Sequence, residues 1–153
     1  MKTIIFCTLA ITFLASFEIP KKYDSYIKQH LQKAKMLQSS TGVPVSITFA
    51  QAIYESQCGS SNIAQKAKNH FGIRCGDHWT GQRYHSSSGC WRKYDSVGES
   101  YLDHACYLND AYPYAAGKPW THWVKYCTGY GGPGYWGKIK KIIITYKLYE
   151  LDK

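Results

Sequence analysis

Apolar side chains recur along the chain with two distinct periods. In "YDSYIKQHLQKAKMLQSS", Tyr23, Tyr26, Ile27, Leu31, Ala34 and Leu37 fall near helical spacing and predict a first helix ending before Gly42. Pro44 suits the first turn of a second helix. That helix is expected to bury Ile47, Ala50 and Tyr54 on one face, with Phe49 and Ile53 alongside, and to stop at Gly59. "SNIAQKAKNHF" predicts a third helix, capped by Ser60 or Ser61. The period then changes. In "GQRYHSSSGCWRKY" a Ser/Gly-rich turn separates two short runs holding Tyr84 and Trp91, the signature of a β-hairpin. Ser96 with Glu99 three residues on forms a capping box, and Val97, Tyr101, His104 and Leu108 follow at helical spacing. Pro119 opens a short helix through Trp123 and Tyr126. Pro133 opens a last one with Tyr135, Ile139, Ile142, Ile143 and Tyr146 as its buried stripe. The sum is a mainly α (α+β) domain with one small β-hairpin excursion, and the chain has the length of one domain with its own core.

Residues 1–17 differ from the rest. Lys2 precedes an apolar stretch from Ile4 to Leu14, too short for a comfortable membrane span, so the segment reads as a secretory signal or an N-terminal anchor. Residues 18–153 form the domain. Export makes disulfides permissible, and Cys58, Cys75, Cys90, Cys106 and Cys127 are an odd set, so at least one stays outside intramolecular pairs. Cys75, His78, His85 and Cys90 approximate a zinc spacing, but an exported setting favours a Cys75–Cys90 disulfide stapling the hairpin. Neither a metal nor an organic cofactor is expected. A cysteine nucleophile at Cys90, served by His104 or His122, would be disabled by that same bridge.

Composition narrows the class. With 44% apolar and 16% aromatic residues, the chain is not disordered. The formal net charge of +9 favours an anionic partner: nucleic acid, a membrane surface or an acidic wall polymer. No long basic run stands out; Lys21–Lys22 and Lys138, Lys140 and Lys141 are short clusters. These suit a solvated basic face rather than a nucleic-acid patch.

Glu55 carries the candidate chemistry. It stands in the last turn of an apolar helix, near the negative end of the macrodipole. Water-excluding neighbours and that dipole both disfavour its ionised form. A carboxyl kept protonated near neutral pH meets the first need of glycoside hydrolysis, a proton for the leaving oxygen.

"TGVPVSITFAQAIYESQCGSSNIAQKAKNHFGIRC" closely resembles the glucosaminidase domain of glycoside hydrolase family 73, enzymes that cut peptidoglycan on a lysozyme-like fold. The matching residues are the run Gly42–Ser56, then Gly59, then Asn69–Cys75. The likeness continues through "CWRKYDSVGESYLDH" and "TGYG" to the closing "IIITYKLYELD". The resemblance implies that Glu55 is the catalytic acid, that Tyr130 lines the cleft near the scissile bond, and that Phe71, Trp79 and Tyr84 bound the sugar groove. It implies an endo-β-N-acetylglucosaminidase in the envelope or outside the cell, with peptidoglycan strands as partner, no nucleic acid, no stable membrane insertion unless the leader is retained, and a monomeric state.

Two departures stand out. Many relatives have Trp between the Ser that follows the acid and the next helix; here that region reads "SQCGSS", with Cys58. The second concerns the base. Inversion needs a second carboxylate about 6.5–9.5 Å from the acid, yet "TGQRYHSSSGC" contains neither Asp nor Glu. Asp77, just before it, is the candidate. Asp103 in "YLDHA" is read as a helix-packing acceptor. Without a base, the substrate's acetamido group, or internal attack giving a 1,6-anhydro sugar as in lytic transglycosylases, would complete the chemistry. A non-catalytic wall-binding module is the remaining alternative.

Overall fold

A computed structural model describes residues 19–153; the predicted leader, residues 1–17, lies outside them. The helices are α1 (Lys21–Thr41), α2 (Val45–Ser56), α3 (Asn62–Ala67), α4 (Val97–Ala111), α5 (Trp120–Tyr126) and α6 (Tyr135–Thr145). Between α3 and α4 lies the hairpin β1 (Arg83–Ser86) and β2 (Gly89–Arg92), paired antiparallel with Tyr84 opposite Trp91 and His85 opposite Cys90. Two 3₁₀ turns, Pro113–Ala115 and Leu148–Asp152, complete the order. None of the described helices is long and apolar enough to cross a membrane.

The core forms around α2. Every residue from Val45 to Ile53 is buried, because α1, α5, α6 and the final 3₁₀ turn all pack on this helix. A helix covered on all sides has no need of a polar stripe, and α2 shows none until its last turn. There the expectation for Tyr54 fails. Its side chain is 37% exposed and its hydroxyl accepts a hydrogen bond from Lys138 Nζ at 2.9 Å. Pro44 is the N-cap of α2, one position earlier than expected; its carbonyl takes the Thr48 N–H. The amide and hydroxyl of Ser46 both donate to the Asp152 carboxylate, at 2.7 Å each, tying the chain's end to the start of α2. A carboxylate at this end complements the helix dipole.

Other termini follow local chemistry. The α1 C-cap, Gly42, has φ +72°, and a Cβ there would collide with the Gly117 backbone nitrogen. Ser61 caps α3, accepting from the Ala64 N–H, and Ser96 caps α4, accepting from the Glu99 N–H. Glu99 reaches back to the Asp95 amide. α3 is shorter than its sequence pattern suggests. It stops at Ala67, and Asn69 takes over the backbone. The Asn69 side chain donates to the carbonyls of Ile73 and Arg92 and accepts from the Phe71 and Ile73 amides.

Those bonds hold residues 69–75 as a strap beside β2. The strap adds a bridge between Arg74 and Trp91, a bond from the Cys75 N–H to the Cys90 carbonyl, and one from the Arg92 N–H to the Ile73 carbonyl. The Cys75–Cys90 disulfide clamps the same register, Cα to Cα 5.6 Å. With these sulfurs joined, no zinc site forms from the Cys75, His78, His85 and Cys90 set. Among the described residues no group of three or more His, Cys, Asp or Glu side chains is placed to hold a metal. Cys58, Cys106 and Cys127 remain thiols among the described residues.

Candidate active site

Glu55 occupies the next-to-last position of α2. The helix cannot continue: Gln57, Cys58 and Gly59 all take positive φ, and the Ser56 hydroxyl caps the turn by accepting the Gly59 N–H at 2.8 Å. The reversal leaves Glu55 half-buried at the edge of a cavity of about 280 Å³, walled by Ser61, Asn62 and Ile63 on one side and by Asn69, Gly72, Arg74 and Trp91 on the other. The strap comes close. A Cβ on Gly72, where φ is +61°, would lie 3.6 Å from Glu55 Oε2 and 3.8 Å from the Trp91 ring. Gly72 thus meets both a left-handed backbone and a tight approach to the acid.

Burial raises the Glu55 pKa above the ordinary carboxylate range, opposed in part by the nearby Tyr135 hydroxyl. Among the described residues no cation pairs with it. The ion pairs among the described residues are Lys28–Asp24 and Arg92–Asp103. Arg74, on the cavity wall, lies over the Trp91 ring at 3.8 Å and donates to the Ser88 carbonyl.

A second cavity of about 380 Å³ shares Gly72 and Arg74 with the first. Phe71, Arg92, Tyr107 and Tyr130 are among its walls. Adjoining at Gly72 and Arg74, the cavities make up the groove beside Glu55, which among the described residues is the one carboxylate lining either. Burial, then the Glu55 charge, pushes the Tyr130 pKa well up, so it remains a neutral phenol.

The residues singled out from sequence are placed unequally. Glu55, Phe71 and Tyr130 line the groove. Phe71 also belongs to the core, stacked face to face on His104 with centroids 3.7 Å apart. Trp79 donates its indole N–H to the Gln82 carbonyl and lies under Arg92 at 4.6 Å, off the walls of both cavities. Tyr84 sits on β1 and Asp77 on an exposed turn, neither lining the groove. Asp103 takes a bidentate bond from Arg92, at 2.8 and 2.9 Å, and a third from the Tyr94 hydroxyl at 2.6 Å, the packing role expected of it. Cys58 packs against the core, its thiol pKa raised by burial and lowered by nearby Lys22.

Sequence reasoning missed Asn69, Arg74, Trp91 and Tyr107. A signal for two of them existed. Joining Cys75 to Cys90 across antiparallel segments places residue 74 opposite 91, and hence Arg74 and Trp91 on one wall.

A half-buried, unpaired carboxyl ending a central helix, faced by a small hairpin across a groove, defines a lysozyme-like glycan hydrolase architecture. The chain belongs to the glucosaminidase family of glycoside hydrolases: the family described as mannosyl-glycoprotein endo-beta-N-acetylglucosaminidase matches residues 31–148. It is 34% identical over 113 residues to the exo-glucosaminidase LytG of Bacillus subtilis (strain 168), an alignment covering 63% of this chain but only 40% of that relative's length. Among solved structures, the catalytic domain of the autolysin Auto from Listeria monocytogenes shares the fold, with a TM-score of 0.72 at 23% identity over 90% of this chain and 92% of that one. A peptidoglycan hydrolase from Sphingomonas sp. A1 superposes with a TM-score of 0.70 at 26% identity, covering 83% and 91% respectively.

Proposed function

We propose that this protein cleaves the glycan strand of peptidoglycan as an endo-β-N-acetylglucosaminidase, with Glu55 as general acid. One observation carries the reading: among the described residues Glu55 is the single carboxyl lining the groove, burial raises its pKa, and no cation pairs with it. Such a group keeps its proton toward neutral pH and delivers it to a bridging oxygen. Tyr130, a neutral phenol on the same groove, donates a hydrogen bond to the sugar beside the scissile bond. Tyr107 and Trp91 present aromatic surface to the apolar faces of sugar rings.

The second chemical role falls on the substrate. Asp77 stands outside the groove walls, and no other Asp or Glu lines them. Attack by the substrate's own acetamido oxygen on the anomeric carbon needs one enzyme acid, which Glu55 supplies. The same vacancy of carboxylates favours a second reading, lytic transglycosylation, in which the sugar's 6-hydroxyl attacks internally. Mass spectrometry of digested sacculi separates them: a reducing N-acetylglucosamine end supports hydrolysis, an anhydro end transglycosylation. The paired variants Glu55→Gln and Asp77→Asn test the assignment in turbidity or zymogram assays. Glu55→Gln is expected to lose roughly 10²–10⁴ in rate, while Asp77→Asn stays near wild type. Full lysis by Glu55→Gln would overturn the acid assignment, whereas wall binding without lysis by the wild type would leave a binding module.

The disulfide and the wall substrate agree with an extracytoplasmic location. The charge of +9 serves adsorption to an anionic wall.

A further inference from the structure

Two arginines line the groove, and one of them has its charge answered. Arg92, on the wall of the second cavity, donates from Nη1 to both oxygens of Asp103, at 2.8 and 2.9 Å. Arg74 lines both cavities, is exposed, and enters no ion pair among the described residues. A guanidinium on a ligand groove with no acid of its own is a seat for an anion that the ligand brings.

Though exposed, the Arg74 side chain is held in place. Its guanidinium lies over the Trp91 ring at 3.8 Å, and Nη1 donates to the Ser88 carbonyl in the hairpin turn. The Trp91 indole N–H donates in turn to Ser86 Oγ at 3.0 Å. A Cβ on Gly89 would collide with Arg74 Nη1, so the turn leaves that space to the guanidinium. The backbone beneath is fixed as well. It bridges to Trp91, the Arg74 carbonyl accepts from Arg92 Nε at 3.2 Å, and the next residue is the disulfide-bonded Cys75. A long side chain usually gives up rotamer freedom when it binds an anion; the hairpin has already removed much of that freedom here. Among the described residues Ser88 is the one acceptor of this guanidinium, which has five N–H donors. The others remain for a carboxylate.

Substrate chemistry says which anion this is. Cleavage after N-acetylglucosamine puts the proton on the oxygen at C4 of the following muramyl sugar. The adjacent carbon, C3, carries a lactyl ether, whose carboxyl is either free or joined to the peptide stem. On the protein, Gly72 lies against Glu55 Oε2 and Arg74 follows two residues later, so their Cα atoms are at most about 7 Å apart. A sugar whose O4 meets Glu55 thus carries its C3 substituent within reach of the Arg74 wall. We propose that Arg74 is a specificity-determining residue that binds a carboxylate borne on the muramyl 3-O-substituent, either the free lactyl group or the stem attached to it. The proposal rests on Glu55 acting as the acid on the glucosaminyl side of the bond. A plain N-acetylglucosamine polymer has only a neutral hydroxyl at C3 and leaves Arg74 unpaired, so charge selects the wall glycan.

The test measures kcat/KM from release of reducing ends on soluble glycan strands. Two kinds are used, with stems intact and with stems removed by an amidase, each before and after carbodiimide conversion of carboxylates to neutral amides. Wild type is compared with Arg74→Gln, Arg74→Lys and Lys118→Gln, the last a control of equal charge change on an exposed residue, each checked by thermal melting. Blocking the carboxylates should cut the wild-type kcat/KM roughly 10–100-fold, the worth of a hydrogen bond to a charged group, mainly through KM. Arg74→Gln should lose as much on unblocked strands and then be indifferent to blocking. Arg74→Lys should recover part of the loss, since it keeps the charge without the fork. Lys118→Gln should keep the full wild-type preference. A blocking effect on stem-free strands assigns the lactyl carboxylate; one confined to intact strands assigns the stem. Three results would overturn the proposal: equal wild-type kcat/KM on blocked and unblocked strands of both kinds, an Arg74→Gln loss that is the same on both, or a preference that Lys118→Gln also abolishes. The wild-type comparison decides by itself if Arg74→Gln does not fold. If instead Glu55→Gln cleaves unblocked strands normally, the acid assignment is the part that fails.

Discussion

Mild acid should destabilise this fold through two buried imidazoles. His104 is sealed between Phe71 and the core, and burial pushes its pKa down to about 3. His70 is lowered to about 4, first by burial and then by neighbouring His30. Its Nδ1 lies 2.7 Å from the Tyr26 hydroxyl, which itself takes the Tyr101 O–H at 2.9 Å. In that chain Nδ1 is an acceptor and must stay unprotonated. The unfolded chain has ordinary histidines with pKa near 6.5. Between the folded and unfolded values the unfolded state therefore binds more protons, and stability falls as pH falls. Lowering pH from 7.5 to 5.5 costs about 1.4 kcal/mol for each group, or nearly 3 kcal/mol for the two. His30, also lowered by burial, adds in the same direction. Glu55 and Asp152, raised by burial, act oppositely wherever the folded carboxyl still holds a proton the unfolded one has lost, so the imidazole figure is the gross loss before that offset. For a domain of this size the loss is a drop of roughly 6–12 °C in melting temperature. Calorimetry at the two pH values checks it, with imidazole NMR shifts reporting each ring. Equal melting temperatures, or a His104 ring titrating near 6.5 in the folded protein, would refute the reasoning.

Asn69→Ala removes four hydrogen bonds that fold the strap, and should cost roughly 3 kcal/mol or more in denaturant unfolding while also depressing activity through the displaced Gly72. Reducing Cys75–Cys90, whose sequence separation is 15, should lower stability by about 3 kcal/mol on the loop-closure estimate; unchanged melting in dithiothreitol would show that backbone pairing alone holds the strap. Adsorption to wall sacculi should weaken as salt rises, since the +9 charge acts through screened interactions; binding indifferent to salt would remove that role for the charge.

Much of this molecule was legible from local pattern. The helical spacing of α1, the Ser96–Glu99 capping box and the two runs around Ser87 each encode their element through contacts a few residues apart. Glu55 was legible for the same reason: a charge ending an apolar helix is a conflict visible in the string of residues, and the structure sets it in a groove. Tyr54 was harder. Helical periodicity put it on a buried face, but α2 is surrounded, so its exposure depends on where neighbours end and not on its own period. The same holds for α3, whose apolar pattern runs past Ala67 until Asn69 captures the backbone with bonds to residues 71, 73 and 92.

Local pattern in the sequence encodes the helix-rich class, the hairpin, the candidate acid and the family-like run from Gly42 to Cys75. What surrounds that carboxyl is fixed by packing. Arg74, Trp91 and Tyr107 reach the groove because a strap, a strand and a helix distant in sequence converge there. Asp77, Trp79 and Tyr84 stay off its walls because the clamped strap and hairpin register aim them elsewhere. Side-chain chemistry is written residue by residue, whereas the low-dielectric setting that raises the Glu55 pKa arises from packing among segments that no local pattern relates.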